Sequence, residues 1–304
     1  MHTVEIDLGG RKITLETGKV AKQANGSVVV RSGDSVVLVT ACAADKPKAG
    51  AAFFPMTVDY REYTYSAGRF PGGFIKREGR PTEKEILTCR LIDRPIRPLF
   101  TEGFQHETQI IGLVLSADPE YDPAPLAMVG AASALAISNI PFHHLLGAVR
   151  VGMVNGQLVA NPSYTEAKTS KINITVAGTE TGIVMVEAGA QHATEEEVLA
   201  ALEFGHECCK NIITGIRELQ SRAGRPKWQF SAPEIDKDLL ARLDKEFRAE
   251  LSDALNTKKY PKLESYAKVA ALKDKCVEAQ PEESKEAAGD LFDVLKERIF
   301  RDEM

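Results

Sequence analysis

The chain has 304 residues and 43% hydrophobic content, enough for roughly two domains of about 150 residues with ordinary cores, which excludes wholesale disorder. Its formal charge is −5, so it is not a globally basic nucleic-acid binder and any polyanion site has to be local. Five cysteines (Cys42, Cys89, Cys208, Cys209, Cys276) lie scattered without a C-x-x-C pair, and no stretch reaches the ~18 consecutive apolar residues of a membrane span, so the chain reads as soluble, cytoplasmic and without a membrane partner.

Val4, Ile6 and Leu8 alternate with Glu5 and Asp7, the pattern of a half-buried strand and not of a signal peptide. Val28–Val30 and Val36–Val39 flank the turn cluster Ser32-Gly33-Asp34, which predicts a hairpin. Thr82 and Glu85 form a capping box that opens a helix running to about Asp93, where Pro95 is expected to push Arg94 out of the helical region and Pro98 to block continuation. Leu126–Ser138, rich in Ala, Ser and Gly, suits a helix packed closely on a sheet. Asn155-Gly156 between two apolar runs predicts a type I′ hairpin, and a further hairpin joins Ile172–Ala177 to Ile183–Glu187. A second capping box, Thr194 with Glu197, starts a long amphipathic helix that Gly224 and Pro226 end.

Composition then changes. Residues 231–304 carry 14 basic and 18 acidic side chains, about twice the charge density of what precedes them. Ser231-Ala232-Pro233 opens this tail, and three helices follow with apolar stripes at Leu239–Leu255, Val269–Val277 and Leu291–Ile299. The overall class is α+β followed by a small all-α domain.

The densest basic stretch is residues 61–97, with nine cations against five acids. Its Gly- and Pro-punctuated part, Gly68 to Pro81, reads as a loop in which Phe74 can stack on a base while Lys76, Arg77 and Arg80 neutralise phosphates. The alternative is an ordinary surface loop whose arginines pair with Glu78 and Glu83. Arg90, Arg94 and Arg97 recur at i, i+4 and i+7, suited either to RNA contact or to an ion-pair network with Asp93 that holds the fold. Elsewhere His206-Glu207 lacks the second histidine of a zincin helix, His143-His144 reads as surface, and Asp118 and Asp122 suit either turn capping or metal ligation.

Phe53-Phe54-Pro55-Met56-Thr57-Val58-Asp59-Tyr60, the loop Gly68 to Pro81, the run from Arg90 to Phe100, and Val176-Ala177-Gly178-Thr179 together resemble the polynucleotide phosphorylase family, in order and at matching spacing. The resemblance runs from about residue 3 through the helical tail. It implies a 3′→5′ exoribonuclease that uses inorganic phosphate to release nucleoside diphosphates from single-stranded RNA, works as a homotrimeric ring with a central channel, and carries two ribonuclease PH-like copies separated by a helical domain. This sequence corresponds to the first copy, 1–228 with lobes at about 1–141 and 142–228, and to the helical domain, 229–304.

The resemblance also implies that phosphate and Mg²⁺ belong to the second copy. Here Asn173 and Thr175 stand where that copy has a metal-binding aspartate and a lysine, and Pro123-Ala124-Pro125-Leu126 replaces its serine-rich helix start. A neutral amide lacks the anionic oxygen that Mg²⁺ favours, so no cofactor and no catalytic residue is expected in this chain, which is expected to be inactive in isolation. Phe74, Lys76, Arg77 and Arg80 match the family loop that narrows the channel mouth, with Lys76 where arginine is common and Ile75 where a second aromatic can stand. The competing reading is a non-catalytic, exosome-like ring subunit acting as an RNA-binding scaffold, although such subunits usually have no helical tail.

Overall fold

The computed structural model describes residues 1–48, 53–72, 77–230, 236–281 and 284–302. Two compact units divide the chain, Met1–Ala232 and Pro233–Met304.

In the first unit, β1 (His2–Asp7), β2 (Lys12–Thr17), β3 (Gly26–Ser32), β4 (Ser35–Pro47), β5 (Met56–Arg61) and β6 (His106–Ser116) form one sheet, ordered β1-β2-β3-β4-β6-β5. All its pairs are antiparallel except β5 with β6. The β3–β4 turn closes on two residues, with Ser32 opposite Ser35 and Gly33 at φ 57°. Helix α1 (Glu83–Ile96) follows β5, and α2 (Ala124–Ile137) follows β6.

The second sheet holds β7 (Gly147–Val154), β8 (Gln157–Ala160), β9 (Ile172–Gly178) and β10 (Ile183–Ala190), ordered β10-β9-β7-β8 and antiparallel throughout. Asn155 at φ 51° and Gly156 at φ 78° make the expected type I′ turn. Between β8 and β9 lies the short α3 (Tyr164–Thr169), and α4 (Glu195–Ala223) closes the unit.

Helix α2 is buried along all of its residues and packs on β3 and β4 of one sheet and on β7 of the other. Small side chains permit this. A Cβ on Gly130 would stand 2.5 Å from Val39 Cγ2, and one on Gly147 in β7 would stand 2.3 Å from the Cys209 carbonyl oxygen of α4. The C-terminal end of α2 is buried, so its last carbonyls need partners from within the protein. Lys227 Nζ supplies donors to the oxygens of Leu135 at 2.7 Å, Ala136 at 3.0 Å and Ser138 at 2.8 Å. Burial pushes the Lys227 pKa down to about 8.

The expected capping boxes open α1 and α4. A third, Ser163 with Glu166, opens α3 and was open to the same S-x-x-E reading. One expectation is corrected: α1 does not stop near Asp93 but continues through Pro95 to Ile96, so Arg94 remains helical, and Arg97–Leu99 add a 3₁₀ turn. Pro95 falls in the last turn, where its missing N–H removes a single bond, while Ile92, Pro95 and Ile96 are buried and the Arg97 N–H still reaches the Asp93 carbonyl. Gly224 ends α4 in an extended conformation, φ −67° and ψ 144°, not a left-handed one; glycine fits there because a Cβ would lie 2.4 Å from the Gln220 carbonyl oxygen. The reading of Ser231-Ala232-Pro233 as the start of the tail lies outside the described residues.

The second unit contains α5 (Lys237–Leu255), α6 (Lys262–Glu278) and α7 (Lys285–Asp302). Leu243, Phe247 and Leu251 of α5 meet Phe292, Leu295 and Ile299 of α7 in its core, with the Phe247 and Phe292 rings edge-on at 6.3 Å. Its charged side chains lie mainly on the outer faces, joined by exposed pairs such as Arg301–Glu297 and Lys275–Glu250 that contribute little each.

Candidate nucleic-acid interface

The basic loop after β5 is built on a buried carboxylate. Glu85, in the first turn of α1, is 3% exposed and accepts the N–H groups of Thr82 at 2.5 Å and Glu62 at 2.8 Å and Arg61 Nε at 3.2 Å. Burial opposes its ionisation, yet the donors from Thr82 and Glu62 and the charge of Arg61 hold its pKa below the usual carboxylate range. One side chain thereby ties the end of β5 to the start of α1. Between them Thr64–Ala67 form a 3₁₀ turn that the sequence reading did not anticipate.

Glu78 completes the frame. Its carbonyl accepts Arg61 Nη2 at 2.9 Å and its carboxylate accepts the Thr64 N–H at 2.8 Å. Of the two carboxylates, Glu78 and Glu83, that the surface-loop reading pairs with Arg77 and Arg80, that of Glu78 is therefore used by backbone. Arg77 and Arg80 are exposed, and among the described residues neither is paired with an acid. Phe74 and Lys76 lie outside the described residues.

The helical arginines diverge in environment. Arg97 uses four of its five N–H donors within the fold: Nε and Nη2 bond Asp93 at 2.9 and 2.6 Å, Nη1 bonds the Phe54 carbonyl at 2.8 Å and Nη2 the Met56 carbonyl at 3.0 Å. That geometry favours the fold-holding alternative for Arg97. Arg94 meets Glu187 of β10 at 3.2 Å in an exposed pair, and Arg90 is exposed without an ion pair among the described residues.

A second polar centre lies where α2 begins. Asp122 Oδ1 accepts the Ala124 N–H at 3.1 Å, its Oδ2 meets Arg150 Nη1 at 2.6 Å, and Lys84 Nζ lies 3.3 Å from Oδ1. Lys84 is shared with Glu62 at 2.9 Å, and Glu62 also accepts the Tyr60 hydroxyl at 2.7 Å. Burial disfavours the Asp122 charge, but Arg150 and Lys84 hold its pKa below the ordinary range. A helix N-terminus with a lysine and an arginine is an anion site. Here the chain's own carboxylate fills it. Beside it a cleft of about 220 Å³ is lined by Arg11, Lys12, Tyr121 and Arg150, and Arg11 is already engaged by Glu166 at 2.5 Å and by the Tyr121 ring.

The donor set does not suit a divalent cation. Asn173 is an exposed amide, Thr175 is buried at 5%, and Asp122 and Glu62 are both paired with Lys84, Asp122 also with Arg150. Among the described residues no three His, Cys, Asp or Glu side chains converge on a metal-sized site. Asp118 caps a turn through the Glu120 N–H at 2.8 Å, so turn capping is the role seen for both aspartates. His206 bonds the Thr179 carbonyl at 2.8 Å, and burial pushes the thiols of Cys208 and Cys209 up to about 11 and about 12, which disfavours their thiolate forms. His143 and His144 are exposed.

Comparison with known proteins agrees with this architecture. Residues 9–141 match the 3′ exoribonuclease family, domain 1, and residues 144–208 match domain 2 of the same family. The chain belongs to the 3′ exoribonuclease family. Within this family it is 66% identical over 303 residues to the polyribonucleotide nucleotidyltransferase of Solibacter usitatus, covering 100% of this chain and 43% of that protein. The enzymes of the same name from Koribacter versatilis and Acidobacterium capsulatum are 56% and 53% identical over 99% of this chain, which covers 37% and 38% of their lengths. The chain therefore spans less than half the length of these relatives and corresponds to their N-terminal part. Rice Rrp46 (TM-score 0.55, 16% identity, 70% of this chain and 95% of that one) and an archaeal exosome core (TM-score 0.52, 17% identity, 68% and 87%) share the ribonuclease PH-like fold. Among the described residues no helix is long and apolar enough to cross a membrane.

Proposed function

We propose that this chain forms the N-terminal part of a polyribonucleotide nucleotidyltransferase, a phosphate-dependent 3′→5′ exoribonuclease of cytoplasmic mRNA decay, and that this part guides single-stranded RNA and supports a homotrimeric ring. The observation that carries the reading is 66% identity across the full chain, helical unit included, to an enzyme of that name. Arg77 and Arg80, exposed and without an acid partner among the described residues, support RNA guidance: phosphate contacts by such cations hold any sequence and let the strand advance. Phosphorolysis, with its inorganic phosphate and Mg²⁺, is assigned to a second ribonuclease PH-like copy. Two features of this copy support that division. Asp122 occupies the anion position at the start of α2, and Asn173 offers Mg²⁺ no charge.

The test incubates the purified chain with poly(A), inorganic phosphate and Mg²⁺, and in parallel measures its affinity for a labelled single-stranded RNA. RNA binding without ADP release is expected. Sustained ADP release that survives removal of contaminating enzyme would place catalysis in this copy, and absence of RNA binding at low salt would remove the guiding role.

A further inference from the structure

We propose that Tyr65, at the top of a stacked column next to the basic loop, is a docking shelf for an unpaired RNA base, with Arg69 beside it for the adjoining phosphate. The proposal rests on the RNA-guiding role above and concerns only described residues.

The column is built from below. Arg61, fixed by Glu85 at 3.2 Å and by the Glu78 carbonyl at 2.9 Å, lays its guanidinium 4.5 Å from the centroid of Tyr63. Tyr63 in turn stacks on Tyr65, with ring centroids 5.9 Å apart and planes 23° from parallel. The cation thus contacts the first ring and the first ring contacts the second, and Tyr65 is 52% exposed. An exposed aromatic held in one orientation has lost its rotamer freedom before a ligand arrives.

The 3₁₀ turn carrying Tyr65 is pinned as well. The Thr64 N–H is held by the Glu78 carboxylate at 2.8 Å, Ser66 Oγ bonds the Tyr63 carbonyl at 2.7 Å, and the Ala117 N–H at the end of β6 bonds the Ser66 carbonyl at 2.9 Å. Gly68 leaves the turn at φ 65°, and the Arg69 N–H returns to the Thr64 carbonyl at 3.1 Å, which folds the Arg69 backbone against the turn that carries Tyr65; the next residue, Phe70, is 94% exposed. Glu78 ties the Arg77–Arg80 segment to the same turn.

Charge decides the occupant. Among the described residues Arg69, Arg77 and Arg80 are paired with no carboxylate, so the exposed aromatics are bordered by free cations in a chain of net charge −5. A strand that presents planar bases and a phosphate at every step satisfies both features, and stacking tolerates any base because each has a π-face.

The experiment titrates the 304-residue chain against a 5′-labelled fifteen-nucleotide RNA at several salt concentrations. Tyr65→Ala is expected to weaken binding roughly tenfold with an unchanged salt slope. Tyr65→Phe should bind like wild type, whereas Tyr65→Leu, which keeps apolar area but no ring, should behave like Tyr65→Ala. Arg69→Ala should lower the log–log salt slope by about 0.7. A second readout replaces one uridine by 5-iodouridine, and the photo-cross-link is expected on the peptide that contains Tyr65. If wild type binds and Tyr65→Ala binds equally well, or Tyr65→Leu matches Tyr65→Phe, the shelf is wrong while RNA guidance stands. A Tyr65→Ala protein that loses an oligomer in light scattering with its RNA affinity intact would make this face a contact between copies. If the wild-type chain neither binds nor cross-links RNA, the shelf falls together with the guiding role.

Discussion

Replacing Asp122 by Ala tests whether this carboxylate is the resident anion of a phosphate-like cradle. The substitution removes a 2.6 Å contact to Arg150, a 3.3 Å contact to Lys84 and the 3.1 Å bond from the Ala124 N–H. Breaking a buried pair from one side costs about 3–5 kcal/mol because the other charge stays behind. The low end applies, since Arg150 keeps 21% side-chain exposure and Lys84 retains Glu62 at 2.9 Å. A loss of about 3 kcal/mol lowers the melting temperature of a unit this size by roughly 6–12 °C.

Two controls sharpen the expectation. Inorganic phosphate or sulfate should raise the melting temperature of Asp122→Ala well above its effect on wild type, approaching about 2.7 kcal/mol at a hundredfold excess over Kd, while chloride at equal ionic strength should not. Adding Arg150→Met should recover much of the loss by removing the stranded cation. The pH dependence carries a sign. Because the folded pKa of Asp122 is depressed, its contribution is present above the unfolded value of about 4 and is lost as pH falls through the folded value, so the two proteins should converge in stability below pH 4. Differential scanning fluorimetry across pH and anion concentration reads all of this. A variant that melts within about 1 °C of wild type, or anions that shift both proteins equally, would refute the reasoning.

Other consequences are read by simpler assays. Gly147→Ala should cost about 1–3 kcal/mol in urea unfolding, because its Cβ meets the Cys209 backbone carbonyl at 2.3 Å and backbone cannot swing aside. Lys227 has a depressed folded pKa of about 8, so wild-type stability should rise as pH climbs from about 8 towards the unfolded lysine value of about 10.4, and Lys227→Met should lose that rise; equal pH profiles would count against the buried ammonium. Arg77→Ala with Arg80→Ala should weaken single-stranded RNA binding alike for all sequences and flatten the salt slope by roughly 0.7 per contact, whereas unchanged affinity and slope would return both residues to an ordinary surface.

Local chemistry in the chain specified much of the fold. The turns at Gly33-Asp34 and Asn155-Gly156, the boxes at Thr82 and Thr194, and the stripes of α5 and α7 each depend on residues a few positions apart, so their signals survive in the linear sequence. The basic character of residues 61–97 was equally plain, and so were Arg77 and Arg80 as exposed candidates. What neighbours in the chain could not decide was the partner of each charged group. Whether Arg97 faces RNA or Asp93 depends on the carbonyls that β5 and the preceding segment bring to it from more than forty positions away. Pro95 stays helical because tertiary burial of Ile92 and Ile96 outweighs one lost hydrogen bond. The same holds for Asp122, a turn residue in sequence, which becomes the anion of a site only when α1 delivers Lys84 and β7 delivers Arg150. Electrostatic roles are set by distance in space, and long-range packing alone fixes those distances.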